Sequence, residues 1–169
     1  RFNLFGFRHP KYYIVGTEVY PFRISTSNTT VILAHSLDYD RFLRNKGKPR
    51  SVEIPDHEYY VFIADTPWGG HDYFLWNLPA PSITKAEYAL TINWFLDFLE
   101  SKTGRKVIVA AHPKHSSKDN IFNDRPFLYD TEQLIKYSSG VINHYSGAIR
   151  FAIIHAKPIC FVSLWKMKN

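Results

Sequence analysis

Short, β-branched apolar runs alternate with segments of helical spacing through the second half of the chain, and this alternation predicts strands and helices in turn. Val107 to Ala111, Val141 to Ile142 and Ile159 to Val162 have the composition of strands buried on both faces, and Tyr59 to Ala64 is of the same kind. A long helix is predicted from about Thr84 to Lys102, where Ala86, Ala89, Leu90, Trp94, Phe95, Phe98 and Leu99 recur at helical spacing as an apolar stripe, and Gly104 stops it. Thr131 to Tyr137 is a second helix, with Asp130 or Thr131 as its cap and Glu132 and Gln133 close behind. Ser146 and Gly147 open a third, largely apolar helix that runs to about His155 and is ended by Lys157 and Pro158.

Nearer the N-terminus, Tyr12 to Gly16 and Thr30 to Ala34 read as strands, separated by a polar turn at Ser25 to Thr29. His35 to Asn45 reads as a strand end entering a short helix, with Ser36 or Asp38 able to cap it. The segment from Asn45 to Glu58 is rich in glycine, proline and charge and is the best boundary. The chain therefore divides into residues 1–58, the end of an N-terminal domain with its linker, and residues 59–169, an α/β unit.

Strands that alternate with helices imply right-handed crossovers and a parallel sheet, and such sheets bind ligands beyond the carboxyl ends of their strands. His112, Pro113, His144, Tyr145, Ser146 and Gly147 are expected to gather there, together with Asp65, the Gly69-Gly70 loop and Asp72 from the first strand. A helix N-terminus offers unpaired N–H groups and a favourable dipole to an anion, and Ser146-Gly147 suits that role as well as it suits simple capping.

Composition narrows the reading. A chain of 169 residues with 45% hydrophobic content can bury a core. It begins at Arg1 without a methionine and stops shortly after a strand, so a fragment or excised domain is expected. The single cysteine, Cys160, lies in an apolar strand, which predicts a buried inert thiol and a reducing, cytoplasmic compartment. No run approaches the roughly 18 apolar residues of a membrane span. The net charge of +6 is concentrated at Arg41, Arg44, Lys46, Lys48 and Arg50 and again at Lys102, Arg105 and Lys106. These are solvated surfaces on the plain reading, or patches for an anionic partner. Aromatic residues make up 17% of the chain, but no RNA-recognition or helix-turn-helix pattern places them beside the basic residues, so nucleic acid is not an expected partner. His112 and His115 lack the helical frame of a zinc site, and P-loop, G-x-G-x-x-G and G-x-S-x-G motifs are missing.

His112-Pro113, a long loop, Asp130-Thr131-Glu132 and then YSSGVINHYSGAIRFAIIHAKPI together resemble the donor half of a GT-B glycosyltransferase. The likeness is to bacterial surface-polysaccharide enzymes that use CMP-linked or CDP-linked donors, and it covers roughly Tyr59 to Val162. The resemblance implies a Rossmann-like parallel sheet with flanking helices, the GT-B donor half-domain, over residues 59–169. It implies that His112 contacts the nucleotide or its phosphate, that Ser146 and Gly147 cradle the phosphates, and that His144 lines the same pocket. Arg125 and Lys114 would reach the leaving phosphate as cations, and Glu132 would sit near the ribose or cap its helix. Developing charge on the leaving group can be met by such cations and backbone donors without a metal, so no cofactor is expected beyond the nucleotide-activated sugar as substrate. The acceptor would be a glycan or a lipid-linked group in polysaccharide or glycolipid assembly. The basic surface suits an anionic membrane, so a peripheral contact at the inner face of the bacterial membrane is among the expected partners. The general base of inverting members comes from the acceptor domain. Within this chain Asp65 and Asp72 are the carboxylates expected to face the cleft, with His35, Asp38 and Asp40 as weaker options.

Two other enzyme readings and one non-enzymatic reading compete. Asp38-Tyr39-Asp40 matches the short DxD of GT-A glycosyltransferases, which holds a divalent metal, although a helix cap explains Asp38 more simply. UDP-sugar 2-epimerases share the architecture, but their paired glycines and following glutamate are replaced here by Ser146-Gly147-Ala148. A non-catalytic nucleotide-sugar-binding module is the third.

Overall fold

Apolar side chains on both faces of a strand require cover on both sides, and the longer segment of this chain meets that requirement with three layers. The computed structural model describes residues 10–16, 29–50, 58–64, 82–112 and 120–164. Asp65, Asp72 and Lys114, together with Pro113 and the Gly69-Gly70 loop, lie outside the described residues. Two units are distinguished, Arg1–Lys46 and Gly47–Asn169.

In the first unit, β1 (Tyr12–Val15) pairs in parallel with β2 (Thr30–Leu33), Tyr12 facing Thr30 and Val15 facing Leu33. Helix α1 (Leu37–Asn45) follows, capped by Ser36, whose hydroxyl accepts from the N–H of Tyr39 at 3.3 Å. Asp38 and Asp40 occupy its first turn, where carboxylates complement the helix dipole.

In the second unit, β3 (Tyr59–Ile63), β4 (Lys106–Ala110), β5 (Phe127–Leu128), β6 (Gly140–Asn143) and β7 (Ile159–Phe161) form one parallel sheet in the order β5-β4-β3-β6-β7. This is an α/β, Rossmann-like sheet with flanking helices. Helix α2 (Lys85–Thr103) joins β3 to β4, α3 (Thr131–Tyr137) joins β5 to β6, and α4 (Ile149–Ile154) joins β6 to β7.

The pleat sorts side chains between the two helical layers. Phe62, Val107, Val109 and Ile142 pack with Tyr88, Ile92 and Leu96 of α2. On the other face, Tyr59, Val61, Ile63, Ile108, Ala110 and Val141 pack with Leu134 and Ile135 of α3 and Phe151 and Ala152 of α4. The buried hydroxyl of Tyr59 donates to the carbonyl of Leu134 at 2.8 Å, which ties β3 to α3.

Helix α2 owes its length to good ends. Thr84 and Glu87 form a reciprocal capping box, and Gly104, at φ 68°, takes the left-handed conformation that closes the helix onto the carbonyl of Glu100.

Three features depart from the sequence-based expectation. The two-residue strand β5 is too short for a period to reveal. The apolar stripe expected at Leu90, Trp94 and Phe98 is exposed, at 76%, 68% and 49%, while Tyr88, Ile92 and Leu96 form the buried face. Cys160 is exposed, contrary to the expected buried thiol, because among the described residues β7 is an edge strand paired with β6 alone.

Candidate functional site

The chain leaves β3 toward β4 on one side and leaves β6 toward β7 on the other, so the connections beyond β3 and β6 diverge. Diverging connections leave a crevice at the carboxyl ends of neighbouring strands, which is where open parallel sheets take their ligands. Among the described residues, Ala64 ends the β3 side, and Asn143, His144, Tyr145, Ser146 and Gly147 form the β6 side. His112 stands exposed two residues beyond β4, the strand next to β3.

His144 is 4% exposed and is held rigidly. Its ring lies edge-on to Phe62, 5.6 Å between centroids, and 5.6 Å from the Tyr88 ring. Nδ1 bonds to the carbonyl oxygen of Val162, and since a carbonyl only accepts, Nδ1 carries the hydrogen.

Ser146 is half-buried, and its hydroxyl accepts from the N–H of Ala148 at 3.3 Å. Gly147 is exposed, and a Cβ there would meet only the far end of the Arg150 side chain, at 3.1 Å. The expected helix from Ser146 to about His155 is shorter, Ile149–Ile154, and its N-cap Ala148 makes no side-chain capping bond. The Ser-Gly turn is thus a tight link between strand and helix more than a long helix presenting its dipole.

Asn143 is not singled out by the sequence pattern. It ends β6, is 1% exposed, and its Oδ1 has no hydrogen-bond partner among the described residues. A buried acceptor left unmatched calls for an explanation, and a polar ligand in the crevice would supply one. The only sequence signal was a polar residue closing the apolar run Gly140 to Ile142.

Arg125 stands elsewhere, which corrects its expected role at a leaving phosphate. It precedes β5 and so lies toward the amino end of the sheet, where its guanidinium is 6% exposed and turned onto α2. It pairs with Asp97 and with Glu100 (2.8 Å), and donates to Oδ1 of Asn93 at 3.0 Å. Two carboxylates already neutralise this cation. A cavity of about 330 Å³ beside it is lined by these same carboxylates with Lys106, Asn123 and Asp124.

Glu132 does not supply the cap of its helix. It is 1% exposed in α3, whose cap is Asp130, accepting from the N–H of Gln133 at 3.3 Å. The Glu132 carboxylate approaches Nε2 of His155 to 3.9 Å. Burial lowers the pKa of His155 from its ordinary 6.5; Glu132 opposes this, and Lys136 and Lys157 add to it. A histidine depressed in the folded state binds more protons when unfolded, so its contribution to stability is intact above pH 6.5 and is lost as pH falls through the folded value. The melting temperature is expected to drop as pH falls below 6.5, and His155→Gln should flatten that drop. An unchanged slope in the variant would assign the titration to other groups.

Among the described residues, no three His, Cys, Asp or Glu side chains converge as a metal site would require, and no helix is long and apolar enough to cross a membrane. The topology places His112 just beyond the carboxyl end of β4 and Asn143, His144, Ser146 and Gly147 at that of β6, the two strands that flank β3, while Arg125 precedes β5. Comparison of the chain with protein-family models, with curated proteins and with solved structures gives no match.

Proposed function

We propose that this chain is the donor-binding half of a GT-B type glycosyltransferase, and that the crevice beyond β3 and β6 receives a nucleotide-activated sugar. The observation that carries this reading is the strand order β5-β4-β3-β6-β7, which reverses direction between β3 and β6, where His144, Ser146 and Gly147 follow the strand end. A nucleotide presents polar base edges and phosphates to such a crevice. Asn143 and His144 are buried polar groups at the end of β6 that would lie on the side of the base or ribose, and His112, Ser146 and the backbone of Gly147 suit the phosphates.

In transfer, the bond from the anomeric carbon to the donor phosphate breaks and a bond to the acceptor oxygen forms. The acceptor hydroxyl gives its proton to a base, and the nucleotide leaves with the electron pair. His112, with Lys114 two positions on in the sequence, would stabilise the charge on that leaving group, and Asp65 and Asp72 are the carboxylates proposed for the cleft side. The acceptor would be a glycan or lipid-linked group of the bacterial envelope, met at the cytoplasmic side.

Calorimetric titration with CMP, CDP, UDP, GDP and their sugar conjugates tests this directly. One nucleotide is expected to bind saturably, with His112→Ala and Ser146→Ala each weakening it about tenfold or more, as loss of a bond to a charged group does. Both variants should melt at the wild-type temperature, since His112 is exposed and the Ser146 hydroxyl makes only a local bond. Binding unchanged in both variants, or no binding of any nucleotide, would refute the reading. Binding without sugar transfer by the whole protein would favour a non-catalytic nucleotide-sugar module.

A further inference from the structure

Arg125 spends its charge on Asp97 and Glu100, and the Ser146-Gly147 turn has a different arginine on it. Arg150 is the second residue of α4, is exposed, and donates from Nε to the carbonyl of Gly147 at 3.1 Å. A Cβ built on Gly147 would stand 3.1 Å from Nη2 of the same side chain, so the guanidinium lies folded back against the turn. Any residue but glycine at 147 would crowd it there. Helical side chains lean toward the N-terminus of their helix, and a helix that joins two parallel strands begins at the carboxyl end of the sheet. Arg150 therefore leans toward the end of the sheet where open parallel folds take their ligands.

Helix stability does not account for this residue. A cation in the first turn works against the helix dipole, and α4 has no acid in that turn to offset it. Residues 133–169 contain no aspartate or glutamate, so the segment that carries the turn supplies no carboxylate of its own. A helix of six residues offers a phosphate little dipole, whereas a guanidinium held on the turn offers a full charge. The bond to Gly147 engages Nε, and the planar fork of arginine can grip two phosphate oxygens with its terminal nitrogens. The same bond holds a long side chain in place before any ligand arrives, which lowers the entropy lost on binding.

We propose that Arg150 grips the donor's phosphates at the Ser146-Gly147 turn and is the cation on the β6 side that meets the charge of the leaving nucleotide. This rests on the donor-binding reading above and adds to it the residue that fills the place expected of Arg125. Its pull is on charge, so the affinity it contributes depends on salt.

Calorimetric titration of the whole chain with CMP, CDP, UDP and GDP at low and high salt, for the wild type, Arg150→Ala and Arg150→Lys, tests the proposal. The nucleotide that binds the wild type is expected to bind Arg150→Ala about tenfold or more weakly, with Arg150→Lys between the two. Wild-type affinity should fall with salt more steeply than that of Arg150→Ala. Both variants should keep the wild-type melting temperature, since the side chain is exposed and water replaces it at the Gly147 carbonyl. Equal affinity in the wild type and Arg150→Ala would overturn the proposal and leave the donor-binding reading standing. Equal losses in both variants, with the salt dependence of the wild type, would also overturn it, for Arg150 would then only brace the turn. A wild type that binds no nucleotide would refute both.

Discussion

Arg125→Met is expected to destabilise the protein by about 3 kcal/mol, the low end for breaking a buried ion pair, while leaving nucleotide affinity of the folded protein unchanged. Methionine keeps the apolar stem but leaves Asp97 and Glu100 side by side with no cation, and Oδ1 of Asn93 without its donor. The loss spreads along a connected set of bonds. Asn93 donates to the carbonyl of Ile121 at 2.7 Å, Glu100 accepts from the N–H of Val107 at 2.7 Å, and Asn120 donates to the carbonyl of Arg125 at 3.1 Å. Together these bonds pin the turn before β5 to α2 and to the start of β4. The low end is chosen because Asp97 remains 59% exposed, so water recovers part of its solvation. Urea denaturation with an unchanged slope would show the fall in midpoint. If the variant instead kept its stability and lost nucleotide affinity, Arg125 would have to reach the ligand after all.

The reason Arg125 reads differently in sequence and in structure lies in β5. From the sequence, the stretch between His112 and Asp130 is one long loop following a strand end, and a cation on such a loop belongs by default to the ligand side. Phe127 and Leu128 break that loop by pairing with Val109 and Ala110. Residues just before a parallel strand lie at its amino end, so two paired residues suffice to move Arg125 to the other end of the sheet. A run of two shows no period, and so nothing local betrays it.

The buried strands were legible for the opposite reason. β3, β4 and β6 need apolar residues on both faces, which writes an unbroken run such as Tyr59 to Ala64 or Val107 to Ala111 into the sequence. From their alternation with helices follow the parallel sheet and the strand ends where His112, His144, Ser146 and Gly147 stand. Ile159 to Val162 carries the same kind of run at the edge of the sheet, where Cys160 and Phe161 are exposed. Composition records what a strand tolerates, and burial depends on which neighbours arrive. Asn143 shows the converse, since a polar residue at a strand end reads as the start of a loop until its burial is seen.

Leu96→Ala is expected to cost about 3 kcal/mol, and Leu90→Ala no more than about 0.5 kcal/mol, although the two leucines share one helix and a similar sequence setting. Leu96 is wholly buried beside Phe62, Val107 and Val109, where removing three heavy atoms leaves a cavity that a close-packed sheet face cannot collapse around. Leu90 is 76% exposed, so alanine there removes little buried surface and slightly favours the helix. The contrast tests the rotation of α2 about its axis. The rows Tyr88, Ile92, Leu96 and Leu90, Trp94, Phe98 are offset by two residues, about 200° around the helix, so each is a self-consistent apolar stripe and spacing alone cannot choose between them. What decides is fit to the rest of the unit: the Tyr88 row also brings Asn93 to Ile121 and Asp97 and Glu100 to Arg125, and a helix turned by half a revolution would forfeit all of these bonds. Chemical denaturation of the two variants reads the answer, and a costly Leu90→Ala with a harmless Leu96→Ala would mean that the helix faces the sheet with its other side.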